Sequence, residues 1–256
     1  MLSSESVLYY ALGGGLGHIT RTLAILNHIE HPDSFRILAS GRWAHLAEPY
    51  SPVPIDRVPK SCMNSRSDYG AFLEDYIRRH GVRQIVLDTF PFGIVGEWRG
   101  QFPEISRFLV ARYLKWQDYL KRIALPRKEL ADENLANTLI IEPQAPAYEA
   151  FLSRKSRTTF LYDPIVFAGH DLRTRTPGQE TAWLVVHSGD RKEQDALLSF
   201  ANEKRKQMGH ENTILDTVFP NQGIYPAQKI MGNYSHIVSA AGRPWPFTPM
   251  TSVAIS

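Results

Sequence analysis

Positions 13 to 21 read Gly-Gly-Gly-Leu-Gly-His-Ile-Thr-Arg, which puts an imidazole and a guanidinium directly behind a run of glycines. Glycine permits a tight turn and lets a ligand approach backbone that a Cβ would cover. The loop follows an apolar run, Val7 to Leu12, and leads into Leu23, Ile25, Leu26 and Ile29 at helical spacing. Strand, glycine turn and helix in that order present backbone N–H groups at a helix N-terminus to an anion or a polar substrate. His18 stands at the start of that helix, and a histidine side chain exchanges protons near neutral pH. The competing reading is a structural turn on which His18 caps the helix or points to solvent. A second candidate is Asp88, the acid that ends the compact apolar strand Val82 to Asp88. Open α/β sheets place ligand-contacting groups at such strand ends. Asp88 could accept the other N–H of His18 as an acid–histidine pair, or serve as a helix cap or loop anchor.

Two common phosphate-binding loops are excluded. A Walker loop ends in Gly-Lys-Ser/Thr, whereas here Gly-His-Ile-Thr stands in that place. The dinucleotide fingerprint needs glycine at its first, third and sixth positions, and His18 occupies the sixth. No acid ends the next strand, Phe35 to Ser40, so neither NAD nor ATP is expected at this loop. The net charge of +3 is shared between the two halves of the chain, and neither half has a nucleic-acid footprint. Arg154 to Arg157 and Lys204 to Lys206 read as solvated surface. With 43% hydrophobic residues the chain of 256 can bury a proper core. Cys62 is the only cysteine, so no intrachain disulfide forms, and a reducing cytoplasm is the expected setting. No stretch approaches the length of a membrane span. No Asp-X-Asp pair or His/Cys cluster has the spacing of metal ligands, so no metal is expected.

The remaining pattern predicts an α/β protein with parallel sheets wound on both sides. A brief helix is expected at Trp43 to Ala47, an edge strand within Pro52 to Pro59, a polar loop at 60–67, and a helix from Tyr69 to His80 that stops at Gly81. Strands follow at Arg107 to Tyr113, Thr138 to Ile141 and Thr158 to Tyr162, with helical or mixed character from Leu114 to Pro126. The polar, Gly- and Pro-containing stretch 168–181 is the best domain boundary. This gives a first domain at 1–170, a linker at 171–181 and a second domain at 182–256. The second domain opens with a strand, Ala182 to Val186, and the turn His187 to Asp190. A helix from Arg191 to Met208 and strands at Thr213 to Val218 and His236 to Ser239 complete it.

Three motifs in this order resemble the GT-B glycosyltransferases, and most closely the MurG-like group of nucleotide-sugar transferases. They are Gly13 to Arg21, Val185-Val186-His187-Ser188-Gly189, and Ser235 to Gly242. The resemblance implies two Rossmann-like domains, an acceptor held by the first, a nucleotide-sugar held by the second, and chemistry in the cleft between them. His18 with Asp88 would be the catalytic pair, His18 acting as base or positioning the donor diphosphate. Gly14, Gly15, Gly17, Thr20 and Arg21 would bind substrate, with Arg21 pairing a phosphate or making a surface salt bridge. His187, Ser188, Gly189, Ala241 and Gly242 would bind the nucleotide-sugar, UDP-linked in this reading. No cofactor beyond that co-substrate is implied; the acceptor could be lipid-linked and reached by peripheral membrane contact. A nucleotide-sugar hydrolase or epimerase of the same fold carries related loops.

The chain departs from that family after Gly242. Arg243 to Pro249 holds three prolines in six residues, where the family continues into a helix. The second domain would span only about 75 residues, roughly half of a comfortable α/β domain. No acid stands where such enzymes grip the donor ribose. The expectation is therefore a truncated second domain, with a non-catalytic binding fragment as a further alternative. A half-built domain leaves apolar surface, from which self-association is expected.

Overall fold

A computed structural model describes residues 6–99, 102–124, 134–161, 181–222 and 225–239. The first strand, β1 (Ser6–Ala11), carries no charged residue, because it lies inside a sheet that helices cover on both faces. Helix α1 (Gly17–Leu26) follows the glycine turn and buries Ile19, Leu23, Ala24 and Leu26. Next come β2 (Phe35–Ala39) and the short β3 (Ile55–Arg57), the latter at the sheet edge where its flanking prolines do no harm. The chain then forms α2 (Arg66–His80), β4 (Val82–Asp88), β5 (Ser106–Ala111) and α3 (Trp116–Arg122). It continues through β6 (Leu135–Ile140), α4 (Pro146–Lys155) and β7 (Ser156–Leu161).

Every pairing among these seven strands is parallel, and their order is β3-β2-β1-β4-β5-β6-β7. Alternation along the strands divides the core. Leu8, Tyr10, Leu38, Ile85 and Leu87 face one cluster with Tyr69, Leu73, Trp116, Tyr148 and Phe151 of α2 to α4. Tyr9, Ala11, Ile37 and Ala39 face the other, with Ile19, Leu23 and Leu26 of α1. Helices on both faces make the sheet doubly wound, as the sequence predicts.

A second, smaller parallel sheet holds β8 (Ala182–Val186), β9 (Ile214–Val218) and β10 (His236–Ser239) in the order β10-β8-β9. Helix α5 (Arg191–Gln207) packs Leu197, Phe200 and Ala201 against Trp183, Val185 and Val238. A four-residue helix, α6 (Gln228–Met231), precedes β10. Most of the expected linker lies outside the described residues, as does everything after Ser239.

Local chemistry moves several boundaries. The stretch 60–67 is not a loop: a 3-10 turn spans Lys60–Asn64, and α2 starts at Arg66. The cause is Ser65, whose Oγ accepts the Asp68 N–H at 3.0 Å and caps the helix; Gly81, at φ 61°, ends it. The brief helix near Trp43 is a 3-10 turn, Ala44–Tyr50, that runs through Pro49. Helix α4 is absent from the sequence reading, although Pro146 at its start and Tyr148, Phe151 and Leu152 on one face are ordinary helix signals.

The β4–β5 connection holds neither helix nor strand among its described residues, and polar anchors stand in for both. Glu97 is fully buried, and its carboxylate accepts from Tyr10 Oη at 2.5 Å, Ile94 N at 3.1 Å and Val95 N at 2.8 Å. Burial pushes its carboxyl up from the ordinary value, against the pull of those donors. Gly93, at φ 83°, must be glycine, since a Cβ would overlap that carboxylate. Tyr119 Oη donates to Gly93 O at 2.7 Å and accepts from Phe92 N at 3.0 Å. Glu97→Ala strands the buried Tyr10 hydroxyl and two part-buried N–H donors, and should lower the unfolding free energy in urea by about 3 kcal/mol. A loss no larger than that of an exposed Glu→Ala control contradicts this anchoring.

Candidate active site at the reversal of strand order

Successive connections run one way from β1 and the other way from β4, so the loops after these two adjacent strands diverge and leave a crevice. The glycine turn follows β1, and Asp88 is the last residue of β4. Asp88 has no exposed side-chain surface, and it meets both His18 and Arg21 of α1. Arg21 binds it as a fork, Nε to Oδ1 at 2.8 Å and Nη2 to Oδ2 at 2.6 Å. Burial alone would raise the Asp88 pKa. The Arg21 guanidinium, and then His18, outweigh it and hold the carboxyl well below the usual carboxylate range. An ionised carboxylate only accepts, so the contact between His18 Nδ1 and Oδ2 places the proton on Nδ1. Nε2 is then the ring nitrogen available to act on another group. The His18 side chain keeps 18% of its surface exposed, so the imidazole is neither sealed in nor freely solvated.

The backbone on both sides is shaped to this pair. Thr89 has φ 71°, a left-handed conformation that a β-branched residue strongly disfavours. Its N–H reaches Val110 O, and Phe90 N closes a three-residue turn on Asp88 O, both at 2.9 Å. This turn brings Phe90 to stack on His18, with centroids 5.9 Å apart and planes at 25°. On the other side, Gly13 exchanges hydrogen bonds with Ser40, N to Oγ at 2.9 Å and Oγ to O at 3.1 Å. A Cβ on Gly13 would overlap the His18 ring. Gly14 and Gly17 have open space where a side chain would stand.

The second unit closes on this turn directly. Ser188 Oγ accepts the Leu16 N–H at 2.9 Å, and a Cβ on Gly15 would meet that hydroxyl at 2.6 Å. Thr20 shares a hydrogen bond of 3.0 Å with Tyr225 Oη, whose ring packs 5.5 Å from Tyr50. The side chains of Thr20 and Arg21, expected to meet ligand, thus have protein partners, as does the hydroxyl of Ser188. His187 Nε2 lies 2.9 Å from Glu193 Oε2, and Gly189 sits beneath that contact. Ala241 and Gly242 lie outside the described residues.

Sequence reasoning missed Thr89, Phe90, Glu193 and Tyr225. Only Glu193 has a local signal, three residues past the helix cap Asp190. Among the described residues no group of three or more His, Cys, Asp or Glu could hold a metal ion. No described helix is long and apolar enough to cross a membrane.

No family model matches the chain. No curated protein matches it either. Among solved structures, it is similar to CalG4, the calicheamicin glycosyltransferase, with a TM-score of 0.48 and 14% identity over 92% of this chain and 74% of that one. A likeness at this level carries no argument about reaction or substrate.

Folding lowers the Asp88 pKa from its ordinary 3.8, so the stabilisation it supplies is complete above that value. It is lost as the pH falls toward the lower folded-state value. Asp88→Asn leaves Arg21 buried without its charge partner and should cost about 3–5 kcal/mol at neutral pH. The variant's stability should also fall less steeply on acidification below about pH 4, because one coupled proton is gone. Parallel acid slopes for the two proteins in urea titrations contradict this assignment.

Proposed function

We propose that the chain is a nucleotide-sugar-dependent glycosyltransferase of the GT-B, MurG-like kind. In this reading it moves a hexose-type sugar from a UDP-linked donor to an acceptor hydroxyl with inversion at the anomeric carbon. One observation supports this most: an ionised, fully buried Asp88 fixes the tautomer of a partly exposed His18 at the crevice where the strand order reverses. A base with its proton-accepting nitrogen fixed in advance is what attack by a neutral hydroxyl requires. His18 Nε2 takes the acceptor proton as the acceptor oxygen bonds to the anomeric carbon, and the nucleoside diphosphate leaves with the electrons of the broken bond. Asp88 keeps the ring oriented and balances the imidazolium that forms. Arg21 keeps Asp88 ionised, a role distinct from binding phosphate.

The open backbone beside Gly14 and Gly17 suits a ligand that approaches closely. Under this reading the nucleotide-sugar is a co-substrate and no resident cofactor takes part. The acceptors to try include lipid-linked ones reached by peripheral membrane contact from the cytoplasm, and no nucleic acid is bound.

The test is nucleotide release from UDP-, GDP-, dTDP- and CMP-sugars, with and without candidate acceptors. His18→Ala should lower kcat by about 10²- to 10⁴-fold, the usual contribution of a positioned base. Undiminished turnover in that variant rejects the role given to His18. Free sugar released without an acceptor reassigns the same pair to activating water, and nucleotide binding without turnover makes the chain a binding module.

A further inference from the structure

Removal of a proton by His18 leaves open which acceptor is chosen, and the cations around the crevice bear on that choice. Two arginines at this end of the first sheet are already paired with carboxylates. Arg21 is forked to Asp88, and Arg112, just after β5, donates Nε to Glu142 Oε1 at 2.5 Å. Arg122, the last residue of α3, differs from both. It is exposed, and it makes no ion pair or hydrogen bond among the described residues. Its guanidinium carbon instead sits 5.3 Å from the centre of the Phe90 ring and 5.5 Å from that of Tyr119. Attraction to a ring face holds a cation without using its N–H groups, so the donor fork stays open to a ligand.

The rings beneath it are themselves fixed. Tyr119 Oη is tied to Phe92 N and Gly93 O, and Phe90 O accepts the Gly93 N–H at 3.1 Å. The two rings pack 5.6 Å apart, and Phe90 also stacks on His18, with 5.9 Å between centres. One phenyl ring therefore contacts both the base and an unpaired cation, and a sugar with one charged substituent is long enough to touch the two. The local charge agrees. Arg112 to Arg122 holds four cations and one acid, a surplus equal to the +3 of the whole chain.

We infer that the acceptor carries an anionic group, a phosphate or a carboxylate, which Arg122 binds while His18 Nε2 meets the hydroxyl. The inference rests on the glycosyl-transfer reading. Either anion suits a guanidinium, which can meet two oxygens with two parallel N–H donors. Arg122 makes and breaks no bond in the transfer. It selects the acceptor and sets which hydroxyl faces the base.

The experiment follows binding of glucose, glucose 6-phosphate and glucuronate to the full chain by NMR, beside nucleotide release from the sugar donor with each. At least one of the two anions should bind about tenfold or more tightly than glucose, as a charge-assisted pair provides. Arg122→Ala should bring that ratio close to unity, and Arg122→Lys, which keeps the charge and loses the fork, should restore part of it. A merely structural Arg122 would weaken all three sugars alike and leave the ratio where it was, which overturns the inference. A wild type with no preference for either anion overturns it too. Phosphatidylglycerol vesicles form the third arm. Vesicle binding that Arg122→Ala abolishes, with no preference among the free sugars, makes this arginine a membrane contact and overturns the acceptor site. Nucleotide release as fast with glucose as with both anions overturns the inference and leaves the glycosyl-transfer reading intact. Anion binding that depends on Arg122, with no release from any donor, overturns that reading and leaves the anion contact standing.

Discussion

A carboxylate with no access to water must find its counter-charges inside the protein, and the arrangement around Asp88 follows from that requirement. Arg21 neutralises it through a fork of two hydrogen bonds, and both His18 and Arg21 come from the first turns of α1. The spacing of three residues matters, because it puts both side chains on the helix face that looks at the end of β4. Without Arg21, burial would drive Asp88 toward the neutral acid, which could give up its own proton and leave the His18 tautomer undetermined. The guanidinium is thus as much a condition for a fixed His18 tautomer as the carboxylate is.

The rest of the first unit holds that arrangement in place. The order of the strands opens a crevice between the loops after β1 and β4, and the two apolar clusters lock α1 and the β4–β5 connection to opposite faces of the sheet. That connection makes no regular structure, so its shape depends on the buried Glu97 and Tyr119 anchors. Through them, Phe90 reaches the His18 ring after the left-handed turn at Thr89.

Much of the fold is legible in the residues, because parallel sheets buried on both faces demand short apolar runs ended by turn residues. Val82 to Asp88 and His236 to Ser239 show this, since their observed bounds coincide with the apolar run. Helix starts were harder to read. Ser65 hides the beginning of α2 inside a stretch whose polarity suggests a loop, and α4, opened by Pro146, is missing from the sequence reading altogether. The contact between His18 and Asp88 follows from topology, since adjacent strand ends bring their loops together. Arg21 is different: a polar residue one turn along looks like a surface charge or a phosphate ligand, and only the depth of Asp88 reveals its burial. Thr89 and Tyr225 carry no sequence signal, because one depends on a backbone angle and the other on a contact across 205 positions.

Tyr225 also bears on how the polypeptide comes to be assembled. It is 6% exposed and belongs to the same apolar cluster as Leu16, Ile19 and Ala44, beside the glycine turn. During synthesis on a ribosome, that patch is made early and stays uncovered until Tyr225, 205 positions after Thr20, has emerged. The apolar cluster beside α1 is therefore completed long after α1 itself is made, and a chain arrested before this tyrosine would expose an oily surface that chaperones and proteases recognise.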